Sequence, residues 1–143
     1  MLFLRPCDKT DIPNAAQMFC RVYGEEPFHE DWALDRAEKR ISAYLSGTNS
    51  RGFAMTIETQ VVGYLFGRII ISANCNSFYV DEIFVHPNYQ RQGCGSMALA
   101  ALPDELKKDN ICKIELHALK EDANFYEKNG FKKTAFVNLQ KTL

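Results

Sequence analysis

Residues 85–96 read Val-His-Pro-Asn-Tyr-Gln-Arg-Gln-Gly-Cys-Gly-Ser, and this stretch decides the fold assignment. It comes at the end of Ser77–Val85, which predicts a strand, and it leads into residues with helical periodicity. Gly93 and Gly95 allow the backbone to approach a ligand closely. The start of a helix leaves backbone N–H groups unpaired and carries about half a positive charge. The stretch therefore predicts an anion site suited to a pyrophosphate.

Two glycines in a turn also occur in ordinary strand–helix connections that bind nothing. The Walker loop requires Gly-Lys-Ser or Gly-Lys-Thr, which is absent here, and the dinucleotide motif requires a glycine where Ala98 stands. Neither of these two nucleotide signatures is present, so the residues alone leave an ordinary turn as an alternative to a phosphate site.

The segment Gln90–Gly95 resembles the Gln/Arg-x-x-Gly-x-Gly/Ala signature of the GNAT superfamily of acetyl-CoA-dependent N-acetyltransferases. A second segment, Asn124–Phe131, resembles the Phe-Tyr-Glu-Lys-x-Gly-Phe segment of the same superfamily, and the two occur in the right order and spacing. The resemblance implies one N-acetyltransferase domain over residues 1–143 with an α/β (α+β) fold. It implies a central mixed, mostly antiparallel twisted sheet flanked by about four helices, with acetyl-CoA as co-substrate.

Periodicity and turn residues predict an alternation of strands and helices that agrees with this fold. The predicted strands are Leu2–Arg5, Phe53–Glu58, Val61–Ser72, Ser77–Val85, Cys112–His117 and Phe131 to about Leu139. The predicted helices are Ile12 to about Gly24, Asp31–Leu45, Gly93–Lys108 with a kink at Pro103, and Asp122–Asn129.

The resemblance assigns cofactor contacts to the end of the fourth strand and to the turn after it. The strand end would pair with the pantetheine arm, and a backbone N–H near Val85 would polarise the thioester carbonyl. Backbone N–H groups from Arg91 onward would bind the pyrophosphate. Core packing is the alternative role for the strand side chains, and Cys94 is interpreted as a small residue. The expected cofactor-binding residues are Ile83, Phe84, Val85, Gln90, Arg91, Gln92, Gly93, Cys94, Gly95 and Ser96.

The resemblance also assigns the catalytic side chains. Tyr126 would be the general acid that protonates the departing thiolate, and its alternative is a core tyrosine. An amine must lose a proton before it attacks a thioester, so a carboxylate is required nearby. Asp81 and Glu82 are the candidates, with Glu82 preferred, and adjacent strand residues face opposite sides unless a bulge intervenes. An ion pair is the alternative for these two acids.

The acceptor is expected near the connection between the first two helices, residues 23–32, where four carboxylates alternate with aromatic side chains. Such a segment suits a cationic amine, although helix capping would explain the acids equally well. The expected substrate-binding residues are Glu25, Glu26, Phe28 and Trp32. Relatives often carry Asn and Ala where Leu119 and Asp122 stand, and Asp122 is interpreted as a helix N-cap.

Composition excludes several other classes of protein. Lys and Arg total 17 against 18 Asp and Glu, so a general nucleic-acid binder or a polybasic membrane binder is not expected. No apolar run approaches the roughly 20 residues that span a bilayer, and the first residues do not resemble a signal peptide. The five cysteines predict reduced thiols in the cytoplasm, and the scattered histidines predict no metal site.

We therefore expect an enzyme that transfers acetyl from acetyl-CoA directly to a primary amine of a cationic small molecule or peptide. Two alternatives stay open: a non-catalytic acyl-CoA-binding or interaction module, and an amino-sugar N-acetyltransferase of the glucosamine-phosphate type. Many relatives pair their exposed strand edges across a dimer, so a homodimer is a further alternative for this chain.

Overall fold

The computed structural model describes residues 1–143 and contains five strands and four α-helices. The strands are β1 (Leu2–Pro6), β2 (Ser50–Ile57), β3 (Gln60–Ile70), β4 (Asn76–Val85) and β5 (Ile111–Leu116). The helices are α1 (Ile12–Gly24), α2 (Leu34–Tyr44), α3 (Cys94–Glu105) and α4 (Ala123–Lys128). Short 3-10 turns precede α1 and α4 and follow β4 and α3.

The sheet has the order β1-β2-β3-β4-β5. The first four strands are antiparallel, and β5 pairs with β4 in parallel through the crossover that contains α3. This arrangement confirms the predicted mixed, mostly antiparallel sheet. Because β5 is reached by a crossover and not by a hairpin, β4 and β5 both point their carboxyl ends toward the same edge of the sheet.

Buried side chains form one layer on each face of the sheet. The layer under α3 includes Phe53, Met55, Leu65, Phe78, Val80 and Leu102. The layer under α1 and α2 includes Phe19, Ile41, Tyr64, Phe66 and Phe84. The second layer is strongly aromatic, and several of its rings lie at the centre of the sheet face next to the end of β4.

Most predicted elements are found, but several boundaries differ. Residues 31–33 precede α2 outside the helix, with Ala33 extended, and Lys107–Asp109 form a 3-10 turn after α3. Pro103 lies in the last turn of α3, two residues before its end, where a proline does not interrupt a long continuing helix.

The predicted strand from Phe131 to about Leu139 is wrong. These residues have no secondary structure, and Phe136 and Leu139 are 91% and 86% exposed. The apolar residues there have strand-like composition, but a strand also requires a hydrogen-bonded neighbour, and this segment has none.

The prediction of five reduced cysteines is also wrong, because Cys75 and Cys112 form a disulfide. Pairing of Asn76 with Ile111 at the start of the β4–β5 ladder brings the two Cα atoms to 5.9 Å. Cys7, Cys20 and Cys94 are free thiols. The cytoplasmic location inferred from reduced thiols therefore stays a prediction. None of the helices combines the length and the apolar character needed to cross a membrane.

At Gly67, the packing of the central strands leaves no room for a side chain. Gly67 lies on β3 opposite Val80 of β4. A Cβ atom at Gly67 would overlap the ring of Phe78 and come within 2.5 Å of the Tyr79 carbonyl oxygen. The two strands must therefore move apart before any larger residue fits.

We expect Gly67→Ala to lower the free energy of unfolding by about 1–3 kcal/mol, the usual cost of overpacking a core. Urea denaturation followed by circular dichroism measures this change. Gly24→Ala is the matched control, because its Cβ would meet only the Glu30 carbonyl oxygen at 3.7 Å. Equal stabilities of the two variants would contradict the packing described for β3 and β4.

Candidate active site

A gap opens beside the carboxyl-terminal half of β4, because β5 ends at Leu116 while β4 continues to Val85. The last residues paired between them are Val80 and Leu116, whereas β4 continues to Val85 with β3 as its only neighbour. The His86 N–H donates to the Val62 carbonyl at 2.8 Å. Hydrogen-bonded pairs alternate along an antiparallel ladder, so Ile83 and Val85 direct their peptide groups away from β3 and into the gap.

Other contacts agree with this direction. The Gln90 side-chain amide donates to the Val85 carbonyl oxygen at 2.9 Å from the gap side. Phe84, in contrast, pairs with Tyr64 across the ladder, and its side chain is 3% exposed in the aromatic layer. Three strand residues are expected to contact the cofactor. The peptide groups of Ile83 and Val85 face the gap, whereas those of Phe84 are hydrogen-bonded to β3.

The turn after β4 brings the start of α3 to the same end of the gap. Arg91 and Gly93 have φ values of +61° and +82°, in the left-handed region. The first α3 hydrogen bond runs from the Met97 N–H to the Gly93 carbonyl at 2.9 Å. The N–H groups of residues 94–96 therefore have no partner within the helix and form a cradle for an anion.

Side chains of the turn serve structural roles. The Gln92 amide donates to the Asn88 carbonyl at 3.2 Å, and Cys94 is buried in the layer under α3. A Cβ at Gly95 would lie 3.1 Å from the ring of Phe125, so α4 packs closely against the start of α3. The cradle is consequently a backbone feature that requires little positive charge.

A β-bulge in β4 determines where the two acids point. Val80 lies opposite Gly67 and Glu82 lies opposite Phe66, so Asp81 is an extra residue with no partner on β3. Phe78 and Val80 belong to the layer under α3, whereas Phe84 belongs to the layer under α1 and α2. The bulge therefore reverses the facing of β4 at the two acids.

Both acids consequently interact on the α1–α2 face. Arg68 of β3 forms an ion pair with Asp81 at 3.1 Å, and Arg40 of α2 forms one with Glu82 at 3.2 Å. The charges of Glu82 and Arg40 also act on Asp81. Adjacent strand residues normally face opposite sides, and this bulge is the exception that brings both acids to one face.

The two carboxylates differ in their surroundings. Glu82 is 9% exposed in its side chain, and it accepts hydrogen bonds from Tyr23 at 2.5 Å and from Tyr44 at 2.7 Å, besides the Arg40 ion pair. Asp81 is 18% exposed, and Arg68 contacts only its Oδ1 atom. Burial raises the pKa of Asp81, the Arg68 charge opposes that rise, and the Glu82 charge adds to it.

Tyr126 lies on the short helix α4. Its ring packs against Phe125 and Phe131, with centroids 5.0 and 5.7 Å apart. Burial raises the pKa of Tyr126, and the charges of Asp122 and Glu82 raise it further. The phenol therefore stays protonated at neutral pH.

The Tyr126 side chain also lines a groove of about 1540 Å³ along β5. Tyr79 and His117 line the same groove and contact each other through the Tyr79 hydroxyl and the His117 Nδ1 atom. Asp81 and Glu82 do not belong to this wall. The Glu82 charge nevertheless acts on Tyr126.

The connection between α1 and α2 lies beside the acids. The rings of Tyr23 and Phe28 have centroids 4.8 Å apart, and Trp32 contacts Phe19 at 4.8 Å. The carboxylates of this segment are exposed: Glu25 pairs with Arg21 at 3.3 Å, and Glu30 accepts a hydrogen bond from Trp32. Phe28 packs on Tyr23, and Trp32 packs on Phe19, which in turn packs on Tyr23, whose hydroxyl donates to Glu82. Glu25 and Glu26, in contrast, face solvent.

Sequence reasoning missed Arg40 and Tyr44, which both contact Glu82, as site residues. Their spacing of four residues places them on one side of the helix, and this was the available signal. Leu119 is 49% exposed at the turn after β5. Asp122 stands at the N-cap position of α4 but makes no capping hydrogen bond through its side chain. No group of three or more His, Cys, Asp or Glu residues is arranged to hold a metal ion.

Comparison with known proteins identifies the family. Residues 48–133 match the family model described as an acetyltransferase (GNAT) domain, which is more than half of the chain. The chain belongs to the GNAT acetyltransferase family. This family consists of acetyl-CoA-dependent acyltransferases, so acetyl-CoA is its acyl donor. The free peptide groups at the gap and the cradle at the start of α3 fit the pantetheine arm and the pyrophosphate of that donor.

A relative among curated proteins is ycf52 of Gracilaria tenuistipitata var. liui, named as an uncharacterized N-acetyltransferase. It is 36% identical over 50 residues, which span 35% of this chain and 28% of that relative. The matched part is therefore less than a third of the length of the relative.

Solved structures of acetyltransferases show the same fold over 98–100% of the chain. A possible acetyltransferase of Clostridium difficile 630 superposes with a TM-score of 0.83 at 18% identity, covering 100% of this chain and 98% of that one. An aminoglycoside acetyltransferase from an uncultured soil metagenomic sample, in complex with sisomicin, has a TM-score of 0.75 at 20% identity, covering 99% and 96%. A predicted acetyltransferase of Clostridium acetobutylicum with acetyl-CoA has a TM-score of 0.72 at 21% identity, covering 98% and 96%.

Proposed function

We propose that this GNAT protein transfers the acetyl group of acetyl-CoA directly to a primary amine of a cationic small molecule or peptide. The observation that carries the proposal is the β4 bulge, which places Asp81 and Glu82 on one face. The next residues of the strand turn free peptide N–H groups into the gap. Proton acceptors and carbonyl-binding donors thus lie on one strand, as acyl transfer to an amine requires.

The cofactor would lie in the gap and end at the cradle. Acetyl-CoA supplies a thioester carbonyl that an amine can attack. The peptide groups of Ile83 and Val85 hold the pantetheine arm, and the Val85 N–H donates to the carbonyl oxygen as negative charge develops on it. Backbone N–H groups of residues 91–96 hold the pyrophosphate. Gln90 fixes the end of the strand through its bond to the Val85 carbonyl.

Asp81 is the better candidate for the proton acceptor. Its Oδ2 atom has no hydrogen-bond donor, and burial raises its pKa, which makes it a stronger base than an exposed carboxylate. Both oxygens of Glu82 are already held by donors from α1 and α2. Asp81 would take the proton from the incoming ammonium, directly or through one water, and leave a neutral amine.

Tyr126 is the candidate for the proton donor. A phenol that stays protonated can give its proton to the thiolate that leaves when the tetrahedral intermediate collapses, and the second proton of the attacking nitrogen then restores the phenol, directly or through water. Tyr126 lines the groove along β5 from α4. In the proposed reaction, Asp81 and Tyr126 therefore act as separate proton acceptor and proton donor.

The acceptor would enter beside the connection between α1 and α2. Glu25, Glu26, Glu30 and Asp31 are exposed there, next to the rings of Phe28 and Trp32. Exposed carboxylates with aromatic surfaces favour a substrate that carries several positive charges. The sisomicin complex of the metagenomic neighbour shows that one protein with this fold binds a polycationic amine.

We expect Asp81→Asn and Tyr126→Phe each to lower kcat by about 10²–10⁴-fold, the range for loss of general acid–base catalysis. Thiol release from acetyl-CoA, with a panel of polyamines, aminoglycosides, amino sugars and peptide N-termini, measures the rate. Asp104→Asn is the matched control, since this α3 carboxylate is 78% exposed and paired only with Lys107. Calorimetric CoA binding without acetylation of any amine would support a non-catalytic CoA-binding module instead.

We expect replacement of Glu25 and Glu26 by Gln to raise KM for polycationic acceptors by about two- to fivefold per charge, the range of exposed ion pairs. The effect should decrease at high salt, and kcat should change little. Glu58→Gln, in the turn between β2 and β3, is the control. A KM that is unchanged in the double variant would place the acceptor elsewhere.

A further inference from the structure

Glu82 is held by more donors than a carboxylate acting as a base requires. The Tyr23 hydroxyl donates to its Oε1 atom at 2.5 Å, and the Tyr44 hydroxyl donates to Oε2 at 2.7 Å. Arg40 donates to the same Oε2 at 3.2 Å. These donors come from two helices that are 38–59 residues distant in sequence, and together they bury the carboxylate. Such an anion is well stabilised and holds its position.

Arg40 is itself fixed in place. Its guanidinium lies 5.4 Å from the Trp32 ring centroid and 5.6 Å from that of Phe19. Its Nε atom donates to the Tyr44 hydroxyl at 2.9 Å. A cation held between aromatic rings and a carboxylate loses little further freedom when it acts on a neighbouring charge. Arg40 is therefore a fixed positive charge beside the bulge.

We propose that Tyr23, Arg40, Tyr44 and Glu82 form a positioning unit that directs the Asp81 carboxylate into the site and sets the electrostatic field around it. The inference rests on the proposed function, in which Asp81 accepts the proton. Glu82 is then a positioning residue and not the base.

Because of the bulge, holding Glu82 in place also holds Asp81 in place. Asp81 and Glu82 are neighbours, and Asp81 has no ladder partner on β3. Three hydrogen bonds on the Glu82 carboxylate restrict rotation of the strand at this point, because any rotation would break them. Asp81 is consequently held on the same face by its neighbour and by Arg68.

Charges of both signs act on the Asp81 carboxylate. Asp81 is faced by Arg68 from β3, by Arg40 from α2 and by Glu82 on its own strand. Tyr23 from α1, Tyr44 from α2 and Tyr126 from α4 face Glu82. Burial raises the pKa of Asp81, Arg68 lowers it, Glu82 raises it and Arg40 lowers it. Removing Glu82 and removing Arg40 should therefore move the Asp81 titration in opposite directions.

The test is a ¹³C-carboxyl NMR titration of the full chain, with the Asp81 signal assigned by its loss in Asp81→Asn. We expect the titration midpoint to fall in Glu82→Gln and to rise in Arg40→Met. Arg40→Lys, which keeps the charge, should shift it less than Arg40→Met. Tyr64→Phe is the control, because this phenol belongs to the same aromatic layer but contacts Asn14 and not Glu82.

Equal midpoints in Glu82→Gln and wild type, or shifts of the same sign in Glu82→Gln and Arg40→Met, would overturn the positioning unit. If Arg40→Met does not fold, the direction in which Glu82→Gln shifts the Asp81 titration midpoint decides the test alone. In the thiol-release assay with spermidine as probe, the acidic limb of kcat/KM should follow the same midpoints. Disappearance of that limb in Glu82→Gln would make Glu82 the base. Because the titration needs no acceptor, absence of any acetyl transfer would overturn the proposed function while leaving the unit measurable.

Discussion

The end of β5 at Leu116, opposite Val80, is the constraint on which the site depends, because it leaves the last residues of β4 without a neighbour on that side. A strand inside a sheet normally uses its peptide groups on both sides, whereas the end of β4 has a neighbour on one side only. Peptide groups that face a gap next to a helix start can bind a long polar ligand without side-chain charge. This explains how a chain with a net charge of −1 can belong to a family that binds acetyl-CoA.

The bulge at Asp81 brings the two candidate acids to one face of the sheet. In a regular strand, neighbouring residues such as Asp81 and Glu82 would face opposite sides of the sheet. With the bulge, both interact on the α1–α2 face, and each has an arginine partner that offsets the cost of burying a charge. The two acids are therefore not equivalent: one is enclosed by donors, and the other keeps a free oxygen beside the gap.

Features determined by neighbouring residues could be predicted from sequence, and features determined by distant ones could not. The turn at Arg91–Gly93, the start of α3 and the short helix with Tyr126 follow from local periodicity and glycine placement. The bulge depends on the register between β3 and β4. The bonds of Tyr23 and Tyr44 to Glu82, and the Cys75–Cys112 disulfide, join residues at least 37 positions apart. The expected strand after Phe131 had suitable composition but no partner strand.

Amide hydrogen exchange by NMR, with and without CoA, tests most directly whether the gap in the sheet is the cofactor site. CoA should slow exchange at the amides of Ile83 and Val85 and at those of residues 94–96. The amide of Phe84 should not change, because it already pairs with Tyr64 on β3. Unchanged exchange at Ile83 and Val85 when CoA is bound, or protection limited to another surface, would contradict the account.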